Sequence, residues 1–164
     1  MTVDSSSFRD AISQVATGVS IITSRRDGRP VGMTASSVAS LSLDPVLLLV
    51  CIEKRLPTHD AIGGYGRFAI NVLGEEDAEV ALSFARPAPD KFEKVVTIQD
   101  DATGLPLLPG AIAHFTCTVE QQVSGGDHSI FIGRVLNCDC RPQKRPLVHF
   151  QRKFGAFQAA KARR

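Results

Sequence analysis

The alternating pattern between residues 114 and 137 constrains the fold more than any other feature of the chain. Apolar and polar side chains alternate over residues 114–123, and a second strand-like segment runs from His128 to about Asn137. Such alternation is typical of a strand with one buried and one exposed face. The residues in between, Ser124 to Asp127, include two glycines and favour a tight turn. The sequence therefore predicts a long antiparallel β-hairpin.

The other strand-like segments are also connected by turns. Residues 19–24 alternate in polarity, and the dipeptide Asp27-Gly28 predicts a hairpin turn into one strand around residues 31–42. The unbroken apolar run 46–52 predicts a strand buried on both faces. Residues 67–73 and 147–150 add two more strands. Because strands and helices do not alternate, the sequence predicts a mainly β fold, a closed antiparallel barrel with α additions.

Three short peripheral helices are predicted around this barrel. The first has a capping-box-like start at Ser7 and Asp10 and ends at Gly18. A second covers residues 58–63, and a third starts at the acidic Glu75 and continues to Ala85. Residues 86–110 contain four prolines and are predicted to form a long loop, whose length indicates a role in binding.

Length and charge limit the organisation of the chain and its partners. The 164 residues, 43% of them hydrophobic, predict a single domain over 1–164 with an ordered core at about 8–157 and a basic, solvated tail at 158–164. A formal charge of +2 gives no reason to expect nucleic acid or a membrane as a partner. No apolar stretch approaches the ~20 residues that span a bilayer, and no signal-peptide core is evident, so we expect a cytoplasmic protein.

Residues 32–42 carry small hydroxyl side chains within a strand-like segment. A strand that only filled the core would carry Val, Ile or Leu there. Short hydroxyls instead let a ligand approach the backbone and offer hydrogen bonds to phosphate or sugar oxygens. The segment therefore predicts a cradle for an anion and a sugar, and the alternative is an exposed, Ser-rich edge strand. The hydroxyl-bearing residues are Thr34, Ser36, Ser37, Ser40 and Ser42.

His128 is the sharpest single candidate for a functional residue. It leaves a Gly-Gly-Asp turn as the first residue of a strand, at a barrel rim that ligands can reach. Asp127 beside it can orient the imidazole ring. The alternative is a rim histidine that only bonds a neighbouring strand. Lys54 and Thr58 can bind a phosphate through a point charge and a hydroxyl near a helix start, or can simply contribute to surface solubility.

Metal and nucleotide motifs are not recognised in the sequence. Cys51 and Cys117 lie in apolar runs, where a free thiol packs as a small hydrophobic group. The spacing of Cys138 and Cys140 does not suit a zinc knuckle, so no metal site is predicted. The glycine cluster 63–66 follows a helix and precedes a strand, the reverse of a dinucleotide fingerprint. Any nucleotide must therefore be held in another way.

Several short segments, taken in their order and spacing, indicate a family. They are Phe8 to Ala11, Thr17 to Val19, Gly32 to Ser37, Leu43 to Pro45, Phe68 to Leu73, Asp90 to Phe92 and Gly126 to Val135. Together they resemble the flavin reductase-like family, the split-barrel NAD(P)H:flavin oxidoreductases that act as reductase components of two-component flavin monooxygenases. The resemblance covers about residues 8–157.

This resemblance implies a fold, an activity and partners. The fold is a split β-barrel of the Greek-key, FMN-binding type, and the assembly is a homodimer with the flavin near the subunit interface. The implied activity is hydride transfer from NADH or NADPH to FMN or FAD, after which the reduced flavin diffuses to a monooxygenase. The alternative is a non-catalytic flavin- or haem-binding module on the same barrel, which the segment Gly126 to His128 disfavours because a storage protein needs no nicotinamide contact.

The resemblance also implies which residues form the site. The flavin ring is expected along Thr34 to Ser37, its phosphate near Lys54 and Thr58, and His128, the expected catalytic residue, against the nicotinamide cofactor. Leu56 replaces a second hydroxyl of many members, and Arg152-Lys153-Phe154 replaces their Arg-x-Tyr. The expected cofactor contacts are Met33, Thr34, Ala35, Ser36, Ser37, Cys51, Lys54, Thr58, Asn71, Val72, Lys91, Phe92, His128 and Phe154.

Overall fold

The computed structural model describes residues 2–160 and is dominated by antiparallel strands, so the predicted mainly β fold is confirmed. The helices are α1 (Ser5–Ile12), α2 (Pro57–Tyr65) and α3 (Ala78–Ala85), with single 3₁₀ turns at Glu75–Asp77 and Lys91–Glu93. The strands are β1 (Thr17–Gly18), β2 (Ser20–Arg26), β3 (Arg29–Ala35), β4 (Val38–Leu43), β5 (Val46–Glu53), β6 (Arg67–Val72), β7 (Ile98–Gln99), β8 (Pro106–Leu107), β9 (Ala113–Gly125), β10 (His128–Cys140), β11 (Leu147–Phe150) and β12 (Lys153–Ala156).

The main sheet curls into a barrel that is open along one seam. Its seven strands have the order β3-β2-β6-β9-β10-β5-β4, and all neighbouring pairs are antiparallel. The edge strands β3 and β4 follow each other in the chain and are separated only by Ser36 and Ser37. Because the three peptide units from Ala35 to Val38 span at most about 11 Å, the two edges must lie close together. This geometry is a split barrel.

Both predicted hairpins are confirmed. Asp27 and Gly28 have φ angles of 50° and 73°, the left-handed pair that a two-residue turn between twisted strands requires. Strands β9 and β10 pair from Gly125 and His128 to their far ends, with register shifts at two places. Such irregularities bend a strand and help a long hairpin follow the curvature of a barrel.

Two strand predictions are wrong. The run 31–42 is not one strand, because β3 pairs with β2 whereas β4 pairs with β5 at the opposite edge. The apolar strand β5 is not fully buried on both faces: Leu48, Val50 and Ile52 face the core, whereas Leu47, Leu49 and Cys51 on the other face are only half-buried. Burial on both faces occurs instead in β2, which contributes consecutive residues to two separate cores.

Those two cores divide the interior of the molecule. The first fills the barrel, and the second lies between the main sheet, α3 and a three-stranded sheet of order β1-β11-β12. Ile22 belongs to the first and Ile21 to the second, and neither is exposed at all. The largest buried side chains of the barrel core are Val50, Ile52, Ile62, Phe68, Ile70 and Phe131, and those of the second core are Val19, Leu73, Phe84, Leu108 and Leu147.

The predicted helices occur, but their ends differ. Helix α1 starts one turn early, because the Asp4 carboxylate accepts hydrogen bonds from the backbone N–H groups of Ser6 and Ser7 at 2.9 and 3.0 Å. These contacts, together with the two serine hydroxyls, lower the pKa of Asp4. The helix ends at Ile12 and not at Gly18. Helix α2 is longer than predicted, and the third predicted helix consists of a 3₁₀ turn followed by α3.

Strands β1, β7, β8 and β12 were not predicted. Each contains only two to four residues, too few to show an alternating pattern. Strands β7 and β8 pair with each other inside the loop 86–110. Among residues 2–160, no helix has both the length and the apolar character that crossing a bilayer demands.

Candidate active site

A cleft of about 1080 Å³ opens beside strand β3. One wall is β3 itself, and the opposite wall is formed by the end of α3 and the segment 84–92. The start of α2 closes one end, and Val19 with His149 line another part of the surface. Among the predicted contact residues, those on this cleft are Met33, Thr34, Ala35, Ser36, Thr58, Lys91 and Phe92.

The hydroxyl-bearing ledge lies on this cleft over residues 33–36, which we call the β3 ledge. Its Thr34 hydroxyl donates a hydrogen bond of 2.6 Å to the carbonyl of Ala81 and so fixes α3 against β3. Ser36 is exposed at the seam of the barrel. Next to the ledge, a side-chain carbon on Gly32 would lie 3.0 Å from Phe84 and 3.1 Å from Phe92. Glycine is therefore needed there for the two walls to approach each other.

The first turn of α2 faces the cleft without a side-chain cap. Leu56, Pro57 and Thr58 all line the cleft. Pro57 has no N–H and the His59 N–H donates to the Leu56 carbonyl, so the Thr58 N–H and the helix dipole are what favour an anion here. Thr58 is 3% exposed and adds a hydroxyl at the second helical position, while Arg55 adds a positive charge just before the helix. This end of the cleft can bind a phosphate.

Lys91 and Phe92 form part of the opposite wall. The Lys91 ammonium donates to the carbonyl oxygens of Phe84 at 3.0 Å and Gly32 at 3.4 Å, and it lies 5.9 Å from the centre of the Phe84 ring. Partial burial lowers the pKa of Lys91. Phe92 packs edge-on against Phe84 with ring centres 5.0 Å apart. The wall therefore combines a fixed positive charge with an aromatic surface.

His128 borders the cleft without lining it. As the first residue of β10 it stands directly opposite Glu53, the last residue of β5, and Glu53 does line the cleft. Its Nδ1 atom lies 2.7 Å from the Asp127 carboxylate, and this hydrogen bond is the largest cause of the lowered pKa of Asp127. Within residues 2–160 the Nε2 atom has no hydrogen-bond partner, and 44% of the side chain is exposed. The ring is therefore oriented and has a nitrogen available for a ligand.

Three predicted contacts lie away from the cleft, two of them beside the β3–β4 connection and one at the β9–β10 turn. The Ser37 hydroxyl donates to the Cys51 carbonyl at 2.9 Å and accepts from the Cys51 N–H at 3.2 Å, so the two residues continue the pairing of β4 with β5. The Lys54 ammonium donates to the Ser124 hydroxyl and the Gly126 carbonyl and holds the β9–β10 turn. Lys54 does not line the cleft, whereas its neighbour Arg55 does, together with Arg86 and Lys91. A phosphate contact of Lys54 stays a prediction.

Three further predicted contacts belong to the two cores. Asn71 is fully buried, donates to the Ile21 carbonyl at 3.0 Å and accepts from the Leu108 N–H at 2.8 Å. Its side chain is committed to the interior, and Val72 beside it packs on the barrel core. Phe154 packs on the second core and against the ring of His149. None of these three side chains lines the cleft, and their predicted contact with a cofactor stays a prediction.

Four ionisable residues of the cleft were missed by sequence reasoning. Glu53 and Arg55 flank the end of β5 and contact each other. Arg86 belongs to the exposed segment before Pro87, and His149 comes from β11. Pro57, a residue favoured at the first position of a helix, was the available signal that Arg55 precedes a helix start. For Arg86 and His149 the sequence offers no comparable signal.

The cysteines and acidic residues form no evident metal centre. In the part of the chain from residue 2 to residue 160, no three histidine, cysteine or acidic side chains are grouped to hold a metal ion. Cys117 is buried, which raises its pKa to about 12, whereas Cys138 and Cys140 are exposed on β10.

Known proteins with the same fold carry flavin chemistry. A family model described as a flavin reductase like domain matches residues 12–158. The reductase component of 4-nitrophenol 4-monooxygenase/4-nitrocatechol 2-monooxygenase from Rhodococcus opacus is 39% identical over 94% of this chain and 82% of its own length. The reductase component of the flavin-dependent trigonelline monooxygenase from Acinetobacter baylyi is 45% identical over 79% of this chain, but the match spans only 42% of that protein.

A solved structure extends the similarity to the whole fold. The NADH:FAD oxidoreductase SgcE6 from Streptomyces globisporus C-1027, in complex with NAD and FAD fragments, superposes with a TM-score of 0.91 and 31% identity. The superposition covers 99% of both chains. With the family match over residues 12–158, these similarities show that the chain belongs to the flavin reductase-like family.

Proposed function

We propose that this chain transfers hydride from NADH or NADPH to FMN or FAD and supplies the reduced flavin to a partner monooxygenase. One observation carries the proposal. In a chain of this family, a single cleft joins the uncapped start of α2 to the small side chains of the β3 ledge. The helix start suits a phosphate and the ledge suits a flat ring system. The two features together match the two ends of a flavin nucleotide.

The dimensions and donors of the cleft fit such a nucleotide. Its volume of about 1080 Å³ is at the upper end of the usual range for small-molecule sites. Thr58 and Arg55 would hold the phosphate at the start of α2. Ala35 and Ser36 carry so little side chain that a ring can lie close to the β3 backbone. Met33 and Phe92 add apolar surface for the faces and edges of the ring.

The chemistry requires positioning more than acid or base catalysis. A bound flavin supplies the acceptor for the hydride, which passes from C4 of the nicotinamide to N5 of the flavin. The chain has to hold two rings in contact and exclude water, an arrangement that can lower a barrier by several kcal/mol. Lys91 provides a fixed positive charge in a partly desolvated wall, where electrostatic stabilisation is stronger than in water. No side chain has to exchange a proton in this step.

Cofactor choice, assembly and location form part of the same proposal. The name of the similar oxidoreductase SgcE6 supports NADH and FAD as first choices, with NADPH and FMN as alternatives. Exposed apolar residues on α1, including Phe8 at 60% and Ile12 at 50%, support a homodimer. Because reduced flavin must leave for the partner enzyme, we expect micromolar flavin binding, about −8 kcal/mol. We expect the protein to work in the cytoplasm.

The activity is tested by following NADH absorbance at 340 nm with and without added FAD or FMN. We expect rapid oxidation of NADH that depends on the flavin. A chain that quenches flavin fluorescence but leaves NADH unchanged would instead be the flavin-binding module without catalysis. Haem binding without flavin binding would indicate the haem variant of that module.

The phosphate position is tested by Thr58→Val, a substitution that keeps the side-chain shape and removes the hydroxyl. Hydrogen bonds to charged groups contribute about 1.5–3 kcal/mol, so we expect at least about tenfold weaker binding of FMN. Riboflavin, which has no phosphate, is the matched control ligand and should bind both proteins equally. Equal weakening for both ligands, measured by fluorescence titration, would contradict a phosphate contact at Thr58.

The role of His128 is tested by His128→Ala. Because Nδ1 is held by Asp127 and Nε2 is free among the described residues, we expect this residue to contact the nicotinamide nucleotide. The KM for NADH should rise about tenfold and kcat/KM should fall, while the dissociation constant of the flavin stays within about twofold. Asp127→Asn, which retains a hydrogen-bonding partner for the ring, should have a smaller effect. An unchanged dependence on NADH would remove His128 from the site.

A further inference from the structure

His149 differs from the other three histidines in its hydrogen bonds. His59 is bonded to Asp60 and Ser129, His114 to a backbone carbonyl, and His128 to Asp127. Neither ring nitrogen of His149 has a hydrogen-bond partner among residues 2–160. The ring is half-buried and lines the cleft. Its ring nitrogens are therefore free, among the described residues, to bond to water or to a ligand that enters the cleft.

The surroundings of His149 hold its ring in a defined place. On one side Phe154 of β12 packs edge-on against the imidazole, with ring centres 5.6 Å apart. On the other side Thr17 of β1 stands directly opposite His149 in the sheet. The Thr17 hydroxyl is buried and has no partner among the described residues. Of these two polar groups, His149 is the one that lines the cleft, and the strands on both sides fix its position.

The chemistry around His149 suits the edge of a planar ring more than a phosphate. The groups that favour an anion, Arg55 and the first turn of α2, belong to other elements of the cleft. His149 comes from strand β11 of the three-stranded sheet. The apolar Val19, between β1 and β2, lines the cleft as well. An imidazole N–H can donate to a carbonyl or carboxamide oxygen on the edge of a ring, while its apolar neighbours contact the ring itself.

We propose that His149 binds substrate by a hydrogen bond to an amide-type oxygen on the edge of a planar ring. This inference rests on the proposed function, in which two substrates carry such a group, the flavin on its pyrimidine ring and the nucleotide on its nicotinamide. In this proposal His149 contacts the substrate from the β11 side of the cleft. Neither the family resemblance nor the turn at residues 124–128 predicts a substrate contact at His149.

The test compares His149→Phe with His149→Gln. Phenylalanine keeps an aromatic side chain against Phe154 and removes both nitrogens, whereas glutamine restores a donor and an acceptor. Flavin dissociation constants are measured by fluorescence without nucleotide, and the KM for NADH is measured at saturating flavin. We expect His149→Phe to raise one of these constants about tenfold with an unchanged melting temperature, and His149→Gln to recover most of the loss. The constant that changes identifies which ring His149 contacts.

Two results would overturn the inference. One is a folded His149→Phe protein whose flavin and NADH constants both stay within twofold of the wild type. The other is equal losses in the phenylalanine and glutamine variants, which would indicate a packing role. If the phenylalanine variant does not fold, His149→Met takes its place. Lys153→Ala, on the exposed part of β12, is the control and should change neither constant. Failure of the proposed function is recognised separately, because the wild type would then not oxidise NADH.

Discussion

Gly133→Ala is expected to destabilise the protein by about 3 kcal/mol, the upper part of the usual cost of overpacking a core. A methyl group at this position would lie 2.5 and 2.8 Å from two carbons of the Phe68 ring and 2.9 Å from the Cβ of Cys117. Both neighbours are fully buried in the barrel core, so neither can swing into solvent. For a domain of this length the melting temperature should fall by about 10 °C.

The Gly133 prediction has a control and a rescue. Gly155→Ala changes a strand glycine with no atom within 4 Å of the new carbon, and it should leave stability nearly unchanged. In the double variant Gly133→Ala/Phe68→Leu the smaller side chain makes room for the methyl group. The two substitutions should therefore be strongly non-additive in urea unfolding. Equal effects at Gly133 and Gly155 would show that loss of glycine flexibility, and not the contact with Phe68, sets the cost.

Ser36→Trp is expected to weaken flavin binding at least about a hundredfold, or about 2.8 kcal/mol. Ser36 lies on the cleft, is exposed, and makes no side-chain hydrogen bond to residues 2–160, so the fold itself does not need its hydroxyl. An indole at this position occupies the surface against which we propose the flavin ring lies. The melting temperature should remain close to that of the wild type, because the new side chain extends into open space.

Ser36→Ala separates the steric effect from the loss of the hydroxyl. It should weaken FMN binding by no more than about tenfold, the value of one hydrogen bond to an uncharged group. Fluorescence titration with FMN and with riboflavin measures both variants. Wild-type affinity in Ser36→Trp would mean that the flavin does not lie on the β3 ledge, whatever the activity of the protein.

Local chemistry explains the parts of the fold that were predictable. The turns at Asp27-Gly28 and at Gly126-Asp127 depend on residues that tolerate positive φ, and such residues are visible in the sequence. The long alternation of β9 and β10 is likewise a local pattern. Strands β1 and β12 are different, because their pairing with β11 is created by tertiary contact. Strands of two and four residues are too short to show a pattern of their own.

The candidate site was predicted less completely because it is assembled from distant segments. Lys54 and Arg55 are adjacent cations that follow the end of β5. Lys54 holds the β9–β10 turn and Arg55 lines the cleft, a difference that depends only on the direction of each side chain. Asn71 looked like a polar contact within a strand, yet its amide bonds Leu108, which lies 37 residues away. His149 reaches the cleft only because the three-stranded sheet packs beside β3.

The seam of the barrel has a mechanical consequence for ligand exchange. Strand β3 is joined to β4 by two residues, and one of them, Ser37, is hydrogen-bonded twice to Cys51 of the neighbouring strand β5. That side of the cleft is therefore stiff, because widening it would stretch a covalent link and break both hydrogen bonds. The exposed Arg86 to Pro89 segment makes no side-chain hydrogen bond within residues 2–160. We therefore expect a large substrate to enter and leave the cleft by movement of the Arg86 to Pro89 segment. The seam on the other side should keep its position.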